Sequence, residues 1–100
     1  MVKAEYDSEG RTLWIELDLT GEPPKWADSV DVDAGVVVVL DTRERPAAVE
    51  VLDPSEHLGG LASAARSYDL DLESLRAAAQ AALAAPDRPL TIEVGEPASV

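Results

Sequence analysis

Val36-Val37-Val38-Val39-Leu40 is apolar at every position, and this run decides the fold. Side chains on a strand point alternately to opposite faces, so a strand with one wet face shows a polar residue at every second position. An unbroken β-branched run predicts a central strand covered on each side. Ala34-Gly35 ahead of it supplies a turn, and the charged segment Asp41 to Pro46 behind it supplies another. Outward from this centre, Trp26 to Val32 reads as a strand with Val30 and Val32 facing in and Ser29, Asp31 and Asp33 facing out. Ala47-Ala48-Val49-Glu50-Val51-Leu52 closes a hairpin on the other side.

Further out, Lys3 to Asp7 and Thr12 to Asp18 form an earlier hairpin. Leu13, Ile15 and Leu17 fall on one face at period two, with Glu16 and Asp18 on the other. Asp7 suits the first position of the intervening turn, and Gly10 the position that needs a positive φ. Gly21-Glu22-Pro23-Pro24 separates the two hairpins, since proline cannot donate to a sheet ladder.

The pattern changes at Asp53-Pro54. Asp53 is placed to N-cap a turn with Pro54 first and Glu56 in the acid-favouring first turn. Gly59-Gly60 limits that turn, and a short helix through Leu61, Ala64, Ala65 and Tyr68 follows. Leu72, Leu75, Ala79, Ala82 and Leu83 then recur at helical spacing, with Asp71 as N-cap and Pro86 as the stop. Leu90-Thr91-Ile92-Glu93-Val94 alternates again. The fold class is therefore α+β: a mainly antiparallel sheet of two hairpins plus one strand, followed by a short helix, a main helix and a final strand. Residues 1–94 are expected to form one α+β domain, and residues 95–100 a flexible C-terminal tail. With the helices on one sheet face, Trp14 and alternate valines of the central strand point to the other. That face is covered by a symmetric partner or by a strongly coiled sheet.

Charge narrows the partners. Twenty acidic residues against eight basic ones give a net charge of −12, and a phosphate backbone would be repelled over most of the surface. Neither direct nucleic-acid binding nor an anionic membrane is expected. The chain has no cysteine, which removes disulfides, thiolate catalysis and zinc–thiolate sites and fits a cytoplasmic protein. No apolar run occurs in Met1 to Gly10, so no secretory signal is expected there, and no segment is apolar enough to span a membrane.

Tests for catalytic chemistry fail one after another. His57 is the sole histidine; Ser55, two residues away, does not face it on a helical turn, so a nucleophile–base pair is not formed. Asp28, Asp31 and Asp33 invite comparison with a calcium loop. Counted from Asp31, however, glycine falls at position five, Val36 at six and Thr42 at twelve, where that loop needs an oxygen ligand, glycine and glutamate. Weak cation or small-ligand binding around these aspartates is the alternative function. Glu50, between Val49 and Val51, is the best half-buried carboxylate, facing solvent or pairing with Arg43 or Arg45. Phosphate-binding glycine loops and nucleophile elbows do not occur. No enzyme activity, cofactor or metal is expected.

Tyr6-Asp7, Leu13-Trp14-Ile15-Glu16-Leu17, Val37-Val38-Val39-Leu40-Asp41 and Val49-Glu50-Val51-Leu52-Asp53 resemble the bacterial domain-of-unknown-function 2283 family over residues 4–58. Glu44 and Ala48 stand where that family usually has glycine, and Arg11 where it has aspartate; the helix and last strand look like an extension. The resemblance carries over no catalytic residue. It implies a bacterial protein encoded beside small toxin-like genes, and hence an antitoxin-like role. The expected function is a non-catalytic interaction module, homodimeric or bound to a small basic protein. Trp14, Trp26 and Val38 are its candidate interface residues.

Overall fold

The computed structural model describes residues 2–17 and 26–92. The expected break at Pro23-Pro24, the end of the last expected strand at Glu93-Val94 and the expected tail, residues 95–100, lie outside the described residues. The elements follow the order β1 (Val2–Asp7), β2 (Thr12–Glu16), β3 (Trp26–Asp33), β4 (Val36–Asp41), β5 (Pro46–Leu52), α1 (Pro54–His57), α2 (Leu61–Tyr68), α3 (Leu72–Ala84) and β6 (Leu90–Ile92). A 3-10 turn, Leu58–Gly60, joins α1 to α2. The fold is α+β: one antiparallel six-stranded sheet in the order β3-β4-β5-β2-β1-β6, with the helices on one face.

The two hairpins join through their inner strands. Leu13 pairs with Val51 and Ile15 with Val49, so β2 lies against β5 and the run Val36 to Leu40 is left one strand from the edge. On the helix side, Val30, Val38, Val49, Ile15, Ala4 and Leu90 line up across the sheet from edge to edge. Leu61, Ala64, Leu75, Ala78, Ala79 and Ala82 close over this face and are themselves buried. The small alanines let α3 lie close over β1 and β2, while α2 covers β3 and β4. Period-two packing of β-branched residues against a helix stripe is the main stabilising contact, at about 25 cal/mol per Å² of apolar area removed from water.

Local chemistry sets the connections. In the first hairpin turn, Asp7 Oδ1 accepts the backbone N–H groups of Glu9 and Gly10 at 3.1 and 3.2 Å. The positive φ expected at Gly10 falls instead on Arg11, at 53°. Gly10 serves by its lack of a side chain, because a β-carbon there would come within 2.8 Å of the Asp7 carboxylate. Asp53 accepts the Glu56 and His57 N–H groups through its backbone carbonyl, while its side chain makes no cap. Asp71 reaches the Ser74 hydroxyl rather than a backbone N–H. Asp69, at φ 55°, ends α2 in the left-handed conformation, and the next N–H, on Leu70, returns to the Ala65 carbonyl at 2.9 Å.

The β4–β5 turn is built on Asp41, whose Oδ1 accepts the N–H groups of Arg43 at 2.8 Å and Arg45 at 3.0 Å. These bonds, that of Arg45 foremost, hold the Asp41 carboxyl below its ordinary pKa. Glu44 carries the turn through φ 62°, a conformation that costs an L-residue about 1–2 kcal/mol. Glu44→Gly removes that strain and returns part of it as unfolded-chain entropy. The expected net gain is about 0.5–1 kcal/mol, seen as a rise of a few degrees in the thermal midpoint.

Candidate protein interface on the open sheet face

The face away from the helices is organised around Trp14. In the ladder, Trp14 stands between Glu50 of β5 on one side and Glu5 of β1 on the other. Directly opposed residues have β-carbons about 4.5–5.5 Å apart, so both glutamates leave the sheet beside Trp14. Glu16, two residues along the same strand and hence on the same face, accepts the indole N–H through Oε1 at 3.1 Å. Trp14 is thus surrounded by three glutamates. Val37, beyond Glu50, and Val39, beside Ala48, continue the face toward β3.

Trp26 completes the surface from the far edge. It pairs with Asp41 at the end of β4, and in a flat sheet its backbone would lie about 19 Å from that of Trp14 at standard strand spacings. The two rings nevertheless meet edge to face, with centroids 5.1 Å apart and planes at 71°. The sheet must therefore fold along this diagonal. Register shifts between Trp26 and Asp28 in β3 and between Val39 and Leu40 in the β4–β5 ladder supply extra bend and twist. Of the two coverings expected for this face, coiling of the sheet is present, and it is incomplete. Ala48 is fully buried, Trp14, Val37 and Val39 are half-buried, and Trp26 and Leu52 remain 53% and 43% exposed.

Of the three expected interface residues, the structure brings Trp14 and Trp26 together on the open face and places Val38 on the opposite one. Val38 is fully buried on the helix face between Val30 and Val49; its neighbours Val37 and Val39 are the valines that look outward. The reason is register: Val38 lies in the same row as Ile15, whose parity is opposite to that of Trp14. Glu5, Glu16 and Leu52 were not among the expected interface residues. Hairpin pairing across the Ser8 to Arg11 turn carries the signal for Glu5, because it sets that residue opposite Trp14.

The acidic stretch of β3 does not converge on one point. Asp31 lies on the open face opposite Val37, and Asp28, opposite Leu40, accepts the N–H of Ser29 at 2.8 Å. Asp33, expected outward, is turned to the helix side by the register shift between Asp31 and Asp33 and accepts the Ser63 hydroxyl at 2.7 Å. That bond first, then the Ala34 N–H, holds the Asp33 carboxyl below its ordinary pKa, with Arg66 and His57 adding favourable charge. Among the described residues no group of three or more His, Cys, Asp or Glu side chains is placed to hold a metal ion.

His57 Nδ1 donates to the Leu52 carbonyl at 2.6 Å, and the ring rests against Gly35, so it clamps α1 to the turn between β3 and β4. Glu50 pairs with neither Arg43 nor Arg45; Arg45 turns to Asp41 at 3.3 Å instead. On the helix side, a surface cavity of about 230 Å³ is lined by Leu58, Gly59, Leu61, Arg76, Ala79 and Gln80. It holds no carboxylate, histidine or hydroxyl that would act on a bound molecule. Among the described residues no helix is long and apolar enough to cross a membrane. Comparison with family models, with curated proteins and with solved structures finds no match to the chain.

Proposed function

We propose that this chain is a non-catalytic interaction module whose open sheet face docks a small basic protein. The observation that carries the reading is the Trp14–Trp26 pair: two indoles in contact, one of them half exposed, on a face that the helices leave uncovered. Tryptophan dominates binding energy at protein interfaces because it buries a large area at small cost in side-chain entropy. Around the pair, Val37, Val39 and Leu52 supply apolar contact, and Glu5, Glu16, Glu50 and Asp31 supply negative charge.

Charge also chooses between occupants. A second copy would bring another chain of net charge −12 onto the same carboxylates, whereas a basic partner would relieve them. The two differ in sign with salt: docking of a basic protein weakens as salt rises, and association of two acidic copies strengthens. An antitoxin-like role, of the kind implied by the resemblance to the domain-of-unknown-function 2283 family, fits a cytoplasmic protein that captures such a partner. The same acidity disfavours direct nucleic-acid binding.

Affinity capture from the native host, with wild-type and Trp26→Ser baits in parallel, tests the reading. The expected result is one small basic protein, recovered stoichiometrically by wild type at low salt and lost both at high salt and with Trp26→Ser. That protein should re-form the complex from purified components. Recovery of the untagged chain alone, or capture insensitive to Trp26→Ser, overturns it.

A further inference from the structure

The immediate surroundings of Trp14 are more specific than an apolar patch with acidic margins. Three glutamates neighbour one indole: Glu5 and Glu50 directly across from it in the two flanking strands, and Glu16 held to its N–H at 3.1 Å. The ion pairs among the described residues lie elsewhere, between Arg11 and Asp53 at 3.9 Å and between Arg45 and Asp41 at 3.3 Å. Lys3, the basic residue of this face, stands opposite Glu16 and Thr91, beyond the Trp14 row, and makes no ion pair with a described residue. The Trp26 ring meets the Trp14 ring at 71°, so the two form a corner with two aromatic walls. The bond to Glu16 fixes how the Trp14 ring is turned.

From this juxtaposition we infer that the Trp14–Trp26 corner is a receptor for an arginine side chain of the basic partner, with Glu50 and Glu5 as its counter-ions. The inference rests on the reading of the open face as a docking surface and names the group that enters it. A cation over an indole face is attracted by the ring quadrupole, and a planar guanidinium also stacks. Its fork of N–H donors matches a carboxylate in a way that an ammonium does not. Two aromatic walls and flanking acids therefore favour arginine over lysine. They also explain why glutamates crowd an otherwise apolar centre: the charge serves a ligand rather than the fold. Arginine in this corner is an anchor of the kind that dominates interfaces.

The probes are two acetylated, amidated peptides, Gly-Arg-Gly-Arg-Gly and Gly-Lys-Gly-Lys-Gly, titrated into the full chain while the indole N–H resonances are followed by NMR. The arginine peptide is expected to shift both indole signals and to bind about fivefold more tightly than the lysine peptide. Glu50→Gln should weaken the arginine peptide by about fivefold. Glu73→Gln, which removes an equal charge from α3, should leave it unchanged. Equal shifts from both peptides, equal losses from the two substitutions, or no shift of either indole signal overturn the arginine site. These outcomes leave the basic-partner reading standing if capture still depends on Trp26. Peptides without effect, together with capture insensitive to Trp26→Ser, overturn both.

Discussion

Leu13→Ala is expected to lower the unfolding free energy by about 2–5 kcal/mol, the largest effect of any single truncation considered for this chain. Leu13 is fully buried in β2, paired with Tyr6 on one side and Val51 on the other, on the face that the helices cover. Its removal takes apolar area out of the core and leaves a cavity that its neighbours fill only in part. Chains of this size have a total stability of about 5–15 kcal/mol, so the loss is a large share of the whole. Urea unfolding measures it directly: the midpoint should fall with little change in slope, because the unfolded chain exposes nearly the same surface. A loss below about 1 kcal/mol would mean that the β2–β5 seam is not part of the folding core.

Gly35→Ala comes next, at about 2–3 kcal/mol from two separable sources. Gly35 has φ +71°, where a side chain is strained by about 1–2 kcal/mol. The new β-carbon would also overlap the His57 ring and push it off the Leu52 carbonyl, forfeiting a bond worth about 1 kcal/mol. A double-mutant cycle divides them. In a His57→Ala background the overlap is gone, and Gly35→Ala should cost only the backbone strain. Additive effects of the two substitutions would instead place the whole penalty in the backbone and remove the clamp assigned to His57.

Much of the fold is legible in the chain, and the two side chains set on the wrong face, Val38 and Asp33, share an origin in strand register. Leu13, Ile15 and Leu17 alternate with polar neighbours, and the helix of Leu72 to Ala84 repeats its apolar positions at helical spacing, so local periodicity places these elements. Val36 to Leu40 is apolar at every position, and alternation there carries no polarity. Which valines look outward is set only by pairing with β5 and through it with β2. Local pattern alone therefore sets Val38 on the wrong face. Asp33 was misplaced by the β3 bulge, where one extra residue reverses every side chain beyond it.

The turns fail for a different reason. Arg11 and Glu44 adopt left-handed backbones that favour glycine, and bonds to the Asp53 N–H and to Asp41 hold them there. The Arg11 bond is long-range and leaves no trace in local composition, and the Glu44 bond is a turn contact that fixes no residue type.

For the candidate site, the sequence named both tryptophans and left their relation open. Trp14 and Trp26 are separated by a segment rich in turn-formers and, in a flat sheet, by two intervening strands; only the coil of the sheet brings them together. The glutamates about Trp14 read locally as the wet face of a hairpin. Their common neighbourhood about one indole becomes visible when β1, β2 and β5 are laid side by side in register.

The central claim is that the open face, and not the helical one, is the surface that meets the partner. Hydroxyl-radical footprinting of the chain, free and in its reconstituted complex, tests this most directly, because oxidation reports the exposure of individual side chains. Protection of Trp14, Trp26 and Leu52 in the complex, with Leu58 and Tyr68 on the helical side unchanged, is the predicted result. Protection of Leu58 and Tyr68 with both tryptophans still reactive would contradict it.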